Sequence, residues 1–304
     1  MVTPPHNAGP EGAGEPDSGQ PNAGQPNPGP AKSGQRNTGA ENARLEQIKR
    51  SWQQKRQITD RLADVQTKIG IYSGKGGVGK TTVSVNLAVT LAKEGNKVGL
   101  LDVDIDCPNV TKVLGISDKP DYEDGQIIPA EKWGVKVVSM AFFQEKEEEA
   151  IIWRGPMIHN AINQFLQITQ WGELDYLLVD LPPGTSDSPL TVMQTLPMDG
   201  FVVVSPPQEL ANIDAKRCIN MIRKLNLNVL GVVENYAGEI FGEGAGKDLA
   251  KEVDAPFLGT MALRGSYRDS SKPTALADAE VGEEYATVAD NMRKSLREFG
   301  RSAA

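Results

Sequence analysis

Cysteine is scarce in this chain: among 304 residues only Cys107 and Cys218 occur, in dissimilar contexts. Two thiols so placed supply no disulfide framework, and the scarcity fits a protein of the reducing cytoplasm. Long apolar runs are missing too. No uninterrupted hydrophobic stretch approaches the roughly 18 residues a membrane-crossing helix requires, so no membrane span is expected. The N-terminus lacks the basic-then-apolar pattern of a secretion signal. Positive charge is in deficit, with 32 Lys and Arg against 40 Asp and Glu and a formal net charge of −8. That balance argues against a nucleic-acid-coating role, because gripping a phosphate backbone takes clustered cations. What remains is a chain 39% hydrophobic, ample for one sizeable α/β domain and marginal for two.

The first stretch is poor in anything that could form a core. Residues 1–40 are Pro, Gly, Asn and Gln with loose repeats such as Gln20-Pro21-Asn22-Ala23-Gly24-Gln25-Pro26-Asn27. Burial there cannot offset the entropy of ordering, so a disordered tail is expected. Residues 41–68 shift to helix formers. Leu45, Ile48 and Trp52 share one helical face, Ile58, Leu62 and Val65 another, and the phase slips near Lys55. A helical extension is expected, packing on the domain or pairing with a second copy.

Residues 69–300 then alternate strand and helix patterns. Apolar runs at 69–72, 98–101, 135–139, 176–179, 201–204, 229–233 and 256–259 read as buried strands. Helical spacing follows the first of them and recurs at 151–170, 208–225, 244–252 and 281–299. This alternation implies an α/β fold: a mostly parallel sheet with helices on both faces, in three layers. Ligands of such sheets sit at the carboxyl ends of the strands. The last helix carries Tyr285, Val288, Met292, Leu296 and Phe299 on one stripe, expected to pack on the sheet rather than on a membrane.

The functional signal sits at the first strand end. Gly74-Lys75-Gly76-Gly77-Val78-Gly79-Lys80-Thr81-Thr82 lies between an apolar strand and a helical run, the setting of a phosphate-binding loop. Glycines let backbone N–H groups turn inward, and the helix start adds unpaired donors and partial positive charge for a polyphosphate. Lys80 would reach the β- and γ-phosphates, and the Thr81 hydroxyl would sit on Mg²⁺. Asp180 closes another strand and opens Asp180-Leu181-Pro182-Pro183-Gly184-Thr185-Ser186-Asp187, placing a carboxylate for Mg²⁺ and bringing the Gly184 N–H to the γ-phosphate. Asp104 ends a third strand and is the candidate to orient the attacking water; Asp102 is read as structural. Asp118-Lys119-Pro120-Asp121 fails the guanine signature in its first residue, so ATP is the expected nucleotide, with Asn235 placed for the adenine edge.

Lys75, directly after the first glycine, narrows the class. The form K-G-G-V-G-K-T-T resembles the deviant phosphate loop of the family that includes the MinD and ParA partition ATPases, nitrogenase iron protein and the Mrp-type iron–sulfur carriers. The resemblance implies that Lys75 crosses a homodimer to the other subunit's nucleotide, where it can steady the transferring phosphoryl group. Trp153-Arg154-Gly155-Pro156-Met157, the run 180–187, Ser205-Pro206-Pro207-Gln208-Glu209, Val232-Val233-Glu234-Asn235 and Ile240-Phe241-Gly242-Glu243-Gly244-Ala245-Gly246-Lys247 resemble the Mrp (ApbC-like) branch specifically. That branch implies an ATPase that carries a [4Fe–4S] cluster to apo iron–sulfur proteins. The alternative reading is a partition or scaffold switch of the MinD/ParA kind that carries no cluster.

One departure stands out. The family places a C-x-x-C between the Val-Glu-Asn segment and the F-G-E-G-x-G run, giving four thiolates per dimer. Here the intervening Tyr236-Ala237-Gly238-Glu239 holds no cysteine, and neither do residues 1–68. Cys107, three residues past Asp104, is the remaining candidate iron ligand. Two copies supply two thiolates unless Cys218 joins them, and a small packed thiol is the ordinary alternative.

Overall fold

Runs of Val, Ile and Leu bounded by glycine and acid turns condense into one central sheet in the computed structural model, which describes residues 38–117, 119–143, 155–269 and 271–300. In chain order the elements are α1 (Thr38–Arg61), β1 (Val65–Tyr72), α2 (Lys80–Lys93), β2 (Val98–Asp102), α3 (Val110–Leu114), β3 (Asp121–Glu123), β4 (Gln126–Ile128), β5 (Ala130–Lys132) and β6 (Val135–Ser139). They continue with α4 (Gly155–Ile168), β7 (Leu174–Asp180), α5 (Asp187–Thr195), β8 (Gly200–Ser205), α6 (Glu209–Lys224), β9 (Val229–Ala237), α7 (Ala245–Glu252), β10 (Phe257–Ala262), α8 (Thr274–Ala277) and α9 (Ala279–Glu298). Eight strands pair in the order β10-β9-β8-β1-β7-β2-β6-β5. All neighbours are parallel except the edge pair β5–β6.

Parallel strands buried on both faces read as continuous apolar runs, and both faces here are covered. On one side Ile69, Ile71 and Leu100 pack against α2 and α9 through Val85, Leu87, Tyr285 and Met292. On the other, Tyr72, Leu177 and Phe201 pack against α4 and α6 through Ile162, Phe165 and Ile219. The terminal stripe Tyr285, Val288, Met292 and Leu296 is fully buried, and only Phe299, beyond the helix, is exposed. Among the described residues no helix is long and apolar enough to cross a membrane.

Three expectations shift. The helical extension stops at Arg61, and Val65, expected on a helix face, begins β1 opposite Leu174. The β-branched Val65 and Thr67 gain a ladder partner there that local propensity does not reveal. Ile58 and Leu62 bury as expected, whereas Trp52 is exposed. The helix expected over 151–170 is described as α4 from Gly155, and the tail up to residue 37, with 151–154, lies outside the described residues.

Candidate functional site

Adjacent parallel strands in register bring their terminal groups together. Asp102 of β2 lies opposite Asp180 of β7, and Asp180 lies opposite Ile71 of β1, whose end leads into the glycine loop. Residues about 100 apart in sequence thereby meet at the carboxyl ends of three central strands. Lys80 Nζ donates to Asp180 Oδ1 at 2.7 Å and stands 3.9 Å from Asp104 Oδ2. Thr81 Oγ1 donates to Asp180 Oδ2 at 2.7 Å. Ser84, one helical turn past Lys80, donates its hydroxyl to Asp180 Oδ1 at 2.7 Å.

The cluster is electrostatically unbalanced. Asp102, Asp104 and Asp180 are all buried, and Lys80 is the buried cation that faces them. Burial, helped by Asp180 and opposed by Lys80, pushes the Asp102 carboxyl up to about 7. Burial likewise pushes Asp104 up to about 6, again against the pull of Lys80. A divalent cation would correct the imbalance, and hard oxygen donors suit Mg²⁺. The donor set therefore fits that ion, and Thr81 and Asp180 are the side chains that could hold it.

β2 ends at Asp102, so Asp104, expected to end the strand, lies in the loop after it, and the two acids do different work. Asp102 accepts from Ser139 Oγ at 2.8 Å, from Val110 N at 3.2 Å and from Asp104 N at 3.1 Å, so it braces the loop after β2. Asp104 projects to Lys80 and accepts the Cys107 N–H at 3.2 Å. It retains the freedom a water-orienting carboxylate needs.

The glycine loop is held from outside. Gly79 opens α2 with φ 81, and a Cβ there would come within 2.1 Å of Asn235 Nδ2 and 2.7 Å of the Tyr236 hydroxyl. Both the backbone sign and the close approach require glycine. Gly74 rests against the α6 backbone at Asp214 and Ala215, and Gly76 lies beside Pro183. Lys75 is half exposed, with its ammonium 3.9 Å from Asp214 of α6. A cleft of about 800 Å³ opens beside the loop, lined by Gly77, Val78, Pro206, Gln208, Tyr236 and Leu263, a mixed apolar and polar wall able to take a nucleoside.

Two residues sit differently from expectation. Asn235, expected to face an adenine edge, is buried and its Nδ2 donates to Val78 O at 2.8 Å, so the amide also braces the phosphate loop. Gly184 donates its N–H to Ser73 O at 2.9 Å, so reaching a γ-phosphate first requires that bond to open. Cys107 is exposed beside Asp104, whereas Cys218 is buried in α6 with its thiol pushed up to about 11 by burial. Among the described residues no group of three or more His, Cys, Asp or Glu side chains could hold a metal.

Other contributors escaped the sequence reading. Glu234 is fully buried and accepts from Gly244 N at 2.9 Å and Gly246 N at 2.5 Å, anchoring the start of α7. A glutamate inside a Val-rich strand followed by Gly-x-Gly is the signal that could have found it, since a buried carboxylate needs donors. Tyr236 holds φ 64, a strained setting for a side chain, at the cleft wall. Ser84 and Ser139 carried no sequence signal, because a lone serine acquires its meaning from what packs against it.

Comparisons with known proteins agree with this geometry. Residues 64–296 match the ParA-type family described as the NUBPL iron-transfer P-loop NTPase. An iron–sulfur cluster carrier protein of Methanocaldococcus jannaschii is 41% identical over 252 residues, spanning 78% of this chain and 87% of its own. A protein of the same description from Pseudomonas fragi is 43% identical over 233 residues, or 71% of this chain and 81% of its own. A nucleotide-binding protein from Archaeoglobus fulgidus, solved in complex with ADP, superposes with a TM-score of 0.66 at 36% identity over 76% of this chain and 95% of that one. The Pyrococcus furiosus cell division ATPase MinD shares the fold at a TM-score of 0.60 and 22% identity, over 76% of this chain and 99% of that one.

Proposed function

The chain belongs to the NUBPL-type iron-transfer P-loop NTPase family, and from that premise we propose that it is a Mg²⁺-dependent ATPase that carries iron–sulfur clusters to apoproteins as a nucleotide-gated homodimer. The observation that carries the reading is the meeting of Lys80, Thr81, Asp104 and Asp180 at the phosphate loop. Thr81 and Asp180 would hold Mg²⁺, which when bound would neutralise charge at the phosphates. Lys80 draws the β- and γ-phosphates, the backbone N–H groups of residues 76–82 cradle them, and Asp104 orients the attacking water. Partners are a second copy and apo iron–sulfur proteins or their assembly factors, in the cytoplasm.

Lys75 acts in trans in this reading. Its partner in its own protomer, Asp214, is 3.9 Å away and the pair is partly exposed, a contact worth little. Lys75→Ala is therefore expected to leave the melting temperature within about 1 °C while lowering turnover roughly 10²-fold or more, the scale of a trans cation on a transferring phosphoryl group. Phosphate release and thermal melting on the same preparation check it.

The cluster is cargo, and Cys107 is the exposed thiol available to hold it. The test is anaerobic reconstitution with iron and sulfide of wild type and Cys107→Ala, reading bound iron, bound sulfide and the visible spectrum. About one cluster per dimer, lost in the variant, supports a carrier whose ligands lie in the loop after β2. ATPase without cluster supports the second reading, a nucleotide-gated switch of the partition type. The absence of a C-x-x-C before Ile240 is the observation that favours that alternative.

A further inference from the structure

The end of β1 grips the loop after β7 at three successive residues. Leu181 N donates to Ile71 O at 3.1 Å, Gly184 N donates to Ser73 O at 2.9 Å, and the Tyr72 hydroxyl donates to Gly184 O. Tyr72 is fully buried, so its hydroxyl must find a partner inside the protein. The partners it has are the Gly184 carbonyl and the thiol of Cys218, which lies against the same phenol from α6. Burial raises the phenol well above its ordinary value, so it stays a neutral donor throughout the working range of pH. Gly184 holds φ 82, a setting natural to glycine, and the residues that follow it, 185–187, are exposed. The loop is thus pinned at one glycine and exposed beyond it.

We propose that Tyr72 is a positioning residue that latches Gly184 and sets how strongly the protein prefers a nucleotide bearing a γ-phosphate over a diphosphate. The proposal rests on the reading that the loop 180–187 senses the γ-phosphate. Both peptide units that meet at the Gly184 Cα are tied to the end of β1, so displacing the residue toward a phosphate draws its N–H from Ser73 O and its carbonyl from the Tyr72 hydroxyl. The hydroxyl opposes the triphosphate-bound setting by the worth of one buried hydrogen bond. Its neighbour Cys218 packs on the ring and meets the hydroxyl from the α6 side, while the bond to the Gly184 carbonyl runs from Tyr72.

The test uses the full chain with Tyr72→Phe, which deletes only the hydroxyl, and Cys218→Ala as a packing control. Affinities for Mg-ADP and for a non-hydrolysable Mg-ATP analogue are measured by calorimetry, and hydrogen exchange is followed in peptide 181–187 without nucleotide. Tyr72→Phe is expected to raise the preference for the triphosphate analogue about 3- to 10-fold, the span of one intramolecular hydrogen bond, and to speed exchange in that peptide by a similar factor. Cys218→Ala is expected to lower the melting temperature and leave both readouts at wild-type values. Unchanged preference and exchange in the Phe protein, or an equal shift in the Cys218 variant, overturns the latch. If the Phe protein fails to fold, wild type decides: exchange in 181–187 must differ between Mg-ADP and the analogue, and identical patterns overturn the proposal. Failure of wild type to bind either nucleotide sinks the ATPase reading, while exchange without nucleotide still judges the latch.

Discussion

Replacing Lys80 with alanine is expected to abolish measurable turnover and to destabilise the protein by about 3–5 kcal/mol near neutral pH, the usual cost of stranding a buried charge. The lysine is almost wholly buried, 2.7 Å from Asp180 and 3.9 Å from Asp104, with Asp102 against the same group. Without it, three buried carboxylates face each other uncompensated. The loss should shrink as pH falls toward about 5, because the Asp102 and Asp104 carboxyls, at about 7 and about 6 even with lysine present, take up protons more readily still. Denaturant unfolding at two pH values, beside a phosphate-release assay, checks both parts. A variant as stable as wild type at neutral pH would mean that the cluster is not held by this pair.

Asp104→Asn is expected to move stability and activity in opposite directions. The folded carboxyl is raised from 3.8 to about 6, mainly by burial. A carboxyl raised on folding stabilises the native state most when protonated: that contribution is complete below about 3.8 and is lost as pH rises through about 6. Asparagine keeps the shape, including an oxygen for the Cys107 N–H, and removes the charge. In Mg²⁺-free buffer the variant should gain on the order of 1–3 kcal/mol at pH 8 and almost nothing at pH 4, while turnover falls about 10²- to 10⁴-fold. Comparing the two unfolding curves at each pH isolates this group from Asp102, which titrates in an overlapping window and is common to both proteins. Lower stability for the variant at pH 8 would show that Lys80 outweighs burial at this position.

Long, strongly patterned segments were legible in the sequence. The Val-rich strands ending in Asp102 and Asp180, the glycine loop and the stripe of α9 emerge where residue pattern and topology agree, because burial on both sheet faces demands such runs. Short pieces were not. β3, β4, β5, α3 and α8 are too brief for any period to show, and the edge strand β5 exists only because β6 offers it a partner. At the site, the residues that meet around the glycine loop, Lys80, Thr81, Asp104 and Asp180, were readable from spacing. The residues that hold those residues were not. Asn235 was assigned to the base from its place after a strand, yet its amide is used by Val78, which only the packing of β9 beside the loop reveals. Tyr72 read as one more apolar strand residue, and its hydroxyl acquires a role only because loop 180–187 folds back over the end of β1.

The central claim is that one active site takes Lys80, Asp104 and Asp180 from one protomer and Lys75 from its partner. Mixing Lys75→Ala with Asp104→Asn tests it directly. Each variant alone has no complete site, but a mixed dimer assembles one, with the intact Lys75 of the second variant entering the intact acid cluster of the first. If Lys75 works in trans, an equimolar mixture should recover about a quarter of wild-type ATPase, from half the dimers carrying one of two sites. Activity no greater than the sum of the two separate variants would contradict the account and place Lys75 in its own protomer's site.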